Sequence, residues 1–245
     1  MSLETSSYKV ATWLFVFASA ATADTFNAVT DFSTASNSAS NRWSYWGATS
    51  TDVTTYATNI SLPVFFADCG SGTQCWDASG GIDNLVLENT TGSPAVFASA
   101  TSPNDELSFY TRHGVVVVRF LVPTTGTYSV SGFFQGITTS PETTQELIAV
   151  DGNSASPLFD LSLTEPFGAV NPFSFSGLSL NAGDTIDFLV GGITTAADFN
   201  SLATGFDATI TSSSARVPEP GTISLLWSVL VGVGGLLRRN LHKTA

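Results

Sequence analysis

Val115-Val116-Val117-Val118-Arg119-Phe120-Leu121-Val122-Pro123-Thr124-Thr125-Gly126-Thr127-Tyr128-Ser129-Val130-Ser131-Gly132-Phe133-Phe134 decides the fold class. Successive side chains of a strand point to opposite faces. Val116, Val118, Phe120 and Val122 therefore share one face, Pro123 to Gly126 supply a turn, and Tyr128, Val130 and Phe134 resume the alternation. The stretch reads as a β-hairpin. Val115, Val117 and Leu121 make the opposite face apolar too, the pattern of a central strand covered on both sides.

A second hairpin reads from Phe173 to Val190, turning at Asn181-Ala182-Gly183-Asp184. Its parity shifts, because Phe173 and Phe175 are odd-numbered whereas Leu178 and Leu180 are even. An extra residue at Ser176-Gly177, a β-bulge, would keep all four inward. From Asp24 to Ile210 short runs rich in Val, Thr, Phe and Tyr are broken every eight to twelve residues by Gly, Pro, Asn or Asp. That pattern is all-β.

The ends of the chain read as addresses. Lys9 precedes the apolar Val10 to Ala20, and Ala21-Thr22-Ala23 places small residues where signal peptidase cuts, which predicts a signal peptide over 1–23 and a mature start at Asp24. At the other end, Val217-Pro218-Glu219-Pro220 is followed by an uncharged run from Gly221 to Leu237 and then by Arg238 and Arg239. The run would span about 25 Å as a helix, close to a hydrocarbon core of about 30 Å. Its flanking cations predict that the tail stays in the cytoplasm and that everything before Pro218 lies outside.

This tail closely resembles the PEP-CTERM sorting signal of Gram-negative bacteria, which some collections describe under ice-binding proteins. The resemblance covers 217–243, as box 217–220, membrane helix 221–237 and basic tail 238–243. It implies an exosortase as processing partner at the inner membrane, followed by release or attachment at the cell surface, often among exopolysaccharide. Between the addresses, Val115 to Ile210 resembles the jelly-roll β-sandwich of carbohydrate-binding modules. The likeness rests on Val122-Pro123, Gly126, Tyr128 and Val130, on the string from Leu178 to Phe188, and on Gly205-Phe206-Asp207-Ala208-Thr209-Ile210. It implies a jelly-roll-like antiparallel sandwich; with the strand pattern that precedes it the expected sandwich runs over 24–211, and Ser212-Ser213-Ser214 makes 212–216 a Ser-rich linker.

Composition narrows the partners. The formal charge is −12, and Asp24 to Arg216 carries eighteen acids against four arginines and no lysine. Nucleic acid and anionic lipid headgroups both demand a basic face, so they are poor partners and no nucleic acid is expected, while an exopolysaccharide or other glycan fits. Cys69 and Cys75 flank a Gly-rich loop in a chain bound for an oxidising compartment, which predicts a disulfide. A zinc site would need more ligands than His113, the one histidine before the tail, can add.

Glycan binding needs aromatic faces beside polar groups, and Trp43, Tyr45, Trp46, Trp76 and Tyr110 are the candidates for such a platform. On a strand Trp43 and Tyr45 share a face while Trp46 points the other way. Catalysis finds little support. Asp105, Glu106, Glu142 and Glu146 are ordinary loop acids as well as candidates for a glycosidase pair, and no nucleophile-elbow string accompanies His113. No cofactor is expected beyond a structural calcium, whose ligands would come from Asp151-Gly152-Asn153, Asp184, Asp198 and Asp207 without an EF-hand loop. No Thr-x-Thr repeat recurs at a fixed period, which speaks against an ice-binding face.

The expectation is therefore an exported, exosortase-processed, non-catalytic sandwich associated with exopolysaccharide. The alternatives are a secreted carbohydrate-active enzyme and a structural matrix protein without a specific ligand.

Overall fold

The computed structural model describes residues 23–48, 52–54, 56, 60–78, 84–97, 100–111, 114–138, 143–163, 167–192 and 203–213. The sorting signal, Ala21, His113, Glu142 and Asp198 lie outside them. Among the described residues there are sixteen strands: β1 (Asp24–Asn27), β2 (Trp43–Ala48), β3 (Ile60–Ser61), β4 (Val64–Gly70), β5 (Thr73–Asp77), β6 (Asn84–Asn89), β7 (Ala95–Phe97), β8 (Ala100–Ser102), β9 (Leu107–Thr111), β10 (Val115–Leu121), β11 (Gly126–Gly136), β12 (Thr144–Val150), β13 (Phe159–Leu163), β14 (Val170–Leu180), β15 (Thr185–Gly192) and β16 (Ala203–Ser213). No helix among these residues is long and apolar enough to cross a membrane.

The strands form two antiparallel sheets. The first has the order β14-β11-β16-β9-β6-β5-β4, with β1 also paired to β16, and the second has the order β13-β12-β15-β10-β2-β3. A small β7-β8 hairpin stands apart.

Neither expected hairpin forms. β10 lies in the second sheet and pairs with β15, whereas β11 lies in the first and pairs with β14. The segment from Val115 to Gln135 and the segment from Val170 to Gly191 instead make one long antiparallel ribbon folded across both sheets. Leu121 faces Thr185 before the fold and Gly126 faces Leu180 after it, in an unbroken register. At the fold, Val122 N–H donates to the Asp184 carbonyl at 2.9 Å and Gly183 N–H to the Val122 carbonyl at 3.0 Å. Pro123 has no N–H to give a ladder, and Gly183 at φ +95° takes a left-handed conformation that a side chain would strain. What reads locally as two turns is thus one corner.

The expected bulge is present. Tyr128 faces Leu178 and Val130 faces Phe175, so Ser129 opposes both Ser176 and Gly177, the latter at φ +73°. The extra residue restores parity, and Phe173, Phe175, Leu178 and Leu180 all pack on the inter-sheet core. That core is aromatic. Phe134 lies 5.4 Å from Phe206 and 5.5 Å from Phe173, and Phe188 lies 5.0 Å from Phe206, all between ring centroids. Each such ring contributes about 1.5–3 kcal/mol by leaving water.

β10 is covered on both faces, as its sequence predicts. Val116, Val118 and Phe120 enter the inter-sheet core, while Val115 and Val117 join Leu147, Ala149, Leu189 and Val53 on the outer side. Cys69 and Cys75 form the expected disulfide, with Cα atoms 6.1 Å apart, across the β4-β5 turn. The linker boundary needs correction. Ser212 is buried and faces Asp24 and Tyr128, so β16 runs on through Ser213 because β1 and β11 offer it ladder partners on both sides.

Candidate functional site

Four of the five expected platform aromatics belong to the interior. Trp43 is 1% exposed, Tyr45 0%, Trp76 6% and Tyr110 0%, so none offers a face to a sugar ring. Parity was read correctly, since Trp43 and Tyr45 share a face, but that face meets Phe120, Phe188 and Phe32 across the core. Tyr110 packs beneath Phe97 of the β7-β8 hairpin on the outer side of the first sheet. Trp46 alone is half-exposed. Its ring lies 5.5 Å from the Arg119 guanidinium and its Nε1 donates to Ser44 Oγ at 2.8 Å.

The buried aromatics nevertheless shape a site through their polar atoms, because a buried Trp or Tyr seeks a partner for its N–H or O–H. Trp76 Nε1 donates to the Ser33 carbonyl at 2.6 Å, and Ser33 N–H donates to Tyr45 Oη at 3.2 Å. Trp43 Nε1 reaches Asp31 Oδ2 at 3.4 Å. Asn37 adds a brace, accepting from Tyr45 N–H at 2.8 Å and donating to the Tyr45 carbonyl at 2.6 Å. The connection between β1 and β2 is thereby pegged to the core along its length.

The pegged connection borders an open cavity of about 280 Å³ lined by Asp31, Ser33, Ser36, Asn41, Arg42 and Trp43. Arg42 is exposed. It lies 5.0 Å from the Phe26 ring and donates from Nη1 to the Leu121 carbonyl at 3.1 Å. The lining combines a carboxylate acceptor, hydroxyls, an amide and a guanidinium donor, a set able to bond a vicinal pair of hydroxyls. On the other side of the same connection, a cavity of similar size is lined by Val29, Thr30, Glu88, Asn89, Thr90, Gly92, Asn104 and Asp105. Burial raises the Glu88 pKa, while the Gln74 amide that donates to the Glu88 carboxylate pulls it down.

Among the described residues, Glu106 and Glu146 do not form a catalytic pair. Glu146 points into the sandwich, where Thr144 Oγ1 donates to its Oε1 at 2.7 Å, whereas Glu106 lies on the outer side of the first sheet. The sheet stands between them. Glu106 is pushed up to about 7, by burial first and by the charge of Asp207 second. Among the described residues its Oε2 has no hydrogen-bond partner, and it is wedged at the bare Cα of Gly205, where a Cβ would meet the carboxylate. Sequence could not signal this pair, whose members stand far apart in the chain.

Three of the candidate calcium ligands serve as structural acceptors. Asp151 Oδ1 takes the Thr185 N–H at 2.7 Å, Asp184 Oδ2 takes the Asn181 N–H at 2.7 Å, and Asp207 Oδ1 takes Asn27 Nδ2 at 2.9 Å. Among the described residues no group of three or more metal-ligating side chains converges.

A further buried charge escaped the sequence reading. On the outer side of the second sheet Arg119 holds Asp187 through two bonds of 2.6 and 2.8 Å, and Tyr56 Oη donates to the same carboxylate at 2.7 Å. Burial first, then the Asp187 charge, holds the Tyr56 phenol far above its ordinary range.

No protein-family model matches the chain, and no curated protein matches it. Among solved structures it is similar to the carbohydrate-binding module CBM36 in complex with calcium and xylotriose, at 15% identity over 48% of this chain and 90% of that one, with a TM-score of 0.29. It is similar to the CBM36-1 domain of a multidomain xylanase from the hindgut metagenome of Trinervitermes trinervoides, at 6% identity, 55% and 100% coverage and a TM-score of 0.29. The module TmCBM61 in complex with β-1,4-galactotriose shows 13% identity, 52% and 86% coverage and a TM-score of 0.30. Likeness at this level carries no argument about fold or ligand, and the sandwich rests on its own strand pairing.

Proposed function

We propose that the chain is an exported, non-catalytic β-sandwich that associates with neutral polysaccharide outside the cell. One observation carries the reading: a rim cavity whose loop is pegged in place by three core aromatics and whose lining is Asp31, Ser33, Ser36, Asn41 and Arg42. Ser33, Ser36 and Asn41 bond one another and brace the rim, which leaves the Asp31 carboxylate and the remaining N–H groups of Arg42 to meet a polyhydroxylated ligand with little ordering on binding. The net charge of −12 disfavours an anionic polymer.

In this reading signal peptidase cuts before Asp24, and an exosortase at the inner membrane acts near Val217-Pro218-Glu219-Pro220, ahead of the 221–237 helix and Arg238-Arg239. The folded ribbon of β10-β11 against β14-β15 supports the finer assignment to a jelly roll. A structural calcium is part of the test.

The exported protein is titrated with neutral oligosaccharides in a calorimeter, with and without a calcium chelator, beside Arg42→Ala. Saturable heat that the variant loses supports the reading; flat titrations with every glycan count against it and leave a structural matrix role. The enzyme reading keeps one observation, the carboxyl of Glu106 near neutrality beside Asp207. Release of reducing sugar from a polymer that Glu106→Gln no longer cleaves would establish it.

A further inference from the structure

Across half of the first sheet, the outward positions of four strands bear hydroxyls. In one row Ser174 faces Ser131, which faces Thr209. In the next, the bulged Ser176 stands opposite Ser129, which faces Thr211, which faces Thr25. In the third Ser179 faces Thr127, which faces Ser213. All ten side chains are exposed or half-exposed. Their strands come from Asp24–Asn27, Gly126–Gly136, Val170–Leu180 and Ala203–Ser213, so the pattern exists only once the sheet is paired.

From this we infer that the Ser/Thr face of β14-β11-β16-β1 is a docking surface for an extended neutral polysaccharide. The inference rests on the reading that the protein associates with glycan, and adds the face that a polymer would lie along.

The three rows carry no charged side chain in a chain of net charge −12; Asp24 precedes Thr25, and Asp207 stands in the row beyond Ser131 and Thr209, bridged to Thr209 by Asn27 Nδ2. A sheet face that merely meets water is ordinarily dressed with mixed charges, which also guard against edge pairing. Its hydroxyls are largely uncommitted. Among the described residues, Ser213 Oγ donates to the Thr127 carbonyl at 3.2 Å and Thr209 Oγ1 accepts from Asn27 Nδ2 at 3.1 Å, and the other eight have no hydrogen bond within the protein. Each hydroxyl can donate and accept, as can each hydroxyl of a neutral sugar.

The array is also held still. On the inner side of the same strands Tyr128, Val130, Ala208 and Ile210 are fully buried in the core. Ser and Thr are short, so ordering them on a ligand costs little side-chain entropy. Strand geometry spaces the hydroxyls about 4.8 Å across strands and about 6.7 Å along them. A protein partner would expect aromatic anchors and an apolar centre, which these rows lack. Nucleic acid would expect cations. Many weak, repeated contacts favour a long chain over a short one, since each further contact is made at a high effective concentration.

The full exported protein is sedimented with insoluble cellulose, insoluble β-1,3-glucan and starch granules, with soluble alginate as an anionic control. Beside it stand Ser131→Glu with Thr211→Glu, and the conservative Ser131→Thr with Thr211→Ser. Retention on at least one neutral polymer that falls about tenfold or more in the Glu pair, persists in the conservative pair and is absent for alginate is the expected result, with unfolding midpoints unchanged. Retention of the Glu pair equal to wild type overturns the face while leaving the rim cavity standing. Binding of short oligosaccharides without any polymer does the same. If no glycan of any length binds, both fall. Adsorption to growing ice rather than to polymer, lost in the Glu pair, overturns the occupant.

Discussion

The outer faces of the two sheets have opposite characters. On the second sheet, Val115, Val117, Leu147, Ala149 and Leu189 are covered by Val53 and Tyr56, and the buried acid in that layer, Asp187, is paired with Arg119. On the first sheet, one half is roofed by the β7-β8 hairpin through Phe97 and Ala100, and the other half carries the open rows of Ser and Thr. A face rich in Val and Leu must be sealed, and a charge caught beneath the seal must be paired. A face of hydroxyls has no such need. Among the described residues, the hydroxyl half of the first sheet and the rim beside β2 are open polar surfaces, and these are the ones proposed to meet glycan.

The contrast can be broken most directly at Asp187. Replacing it with Ala strands the Arg119 charge and leaves Tyr56 Oη without its acceptor, so urea unfolding should show a loss of about 3–5 kcal/mol. A loss below about 1 kcal/mol would mean that the face is not sealed. On the roofed half of the first sheet, Cys69→Ser with Cys75→Ser frees a short loop and should cost about 2 kcal/mol in the same measurement.

Glu106 sharpens the boundary between the two halves. Its folded pKa of about 7 stands above the ordinary carboxylate value, because burial and then Asp207 disfavour the ion. The unfolded chain therefore releases its proton first as pH rises. Stability should be highest below about pH 4.5, fall through the interval up to about 7, and stay low beyond it. Glu106→Gln should flatten that profile and stabilise the protein at pH 8, on the order of 1–3 kcal/mol. An unchanged profile would show that the carboxyl is solvated. At the small end, Ser131→Ala on the open face should shift stability by no more than about 0.5 kcal/mol.

Much of the fold is legible in the chain because alternation and parity are local. Val115 and Val117 announce a strand covered twice, and the parity change between Phe175 and Leu178 locates the bulge at Ser176-Gly177. Strand partnership is not local. Val122-Pro123-Thr124-Thr125-Gly126 has the same residue signature whether the chain reverses within a sheet or passes to the facing one, so the two strands of one folded corner read as two hairpin turns. Trp43 and Tyr45 show the same limit. Their shared face follows from spacing, but its burial depends on Phe120, Phe188 and Phe32, and their polar atoms were legible only once Asp31 and Ser33 stood beside them. The Ser/Thr rows escaped because no single segment repeats. Three distant strands each supply about three outward hydroxyls, β1 adds Thr25, and the register turns them into an array.

The central claim is that glycan is met through polar surface rather than through aromatic rings. Retention of the protein on neutral polysaccharide, compared between Trp46→Ala and Arg42→Ala with Arg42→Lys as the conservative control, tests it most directly. Trp46→Ala should bind within about twofold of wild type, while Arg42→Ala should lose about tenfold and Arg42→Lys recover part of it. Loss of binding in Trp46→Ala with Arg42→Ala intact would contradict the account and return recognition to the half-exposed tryptophan.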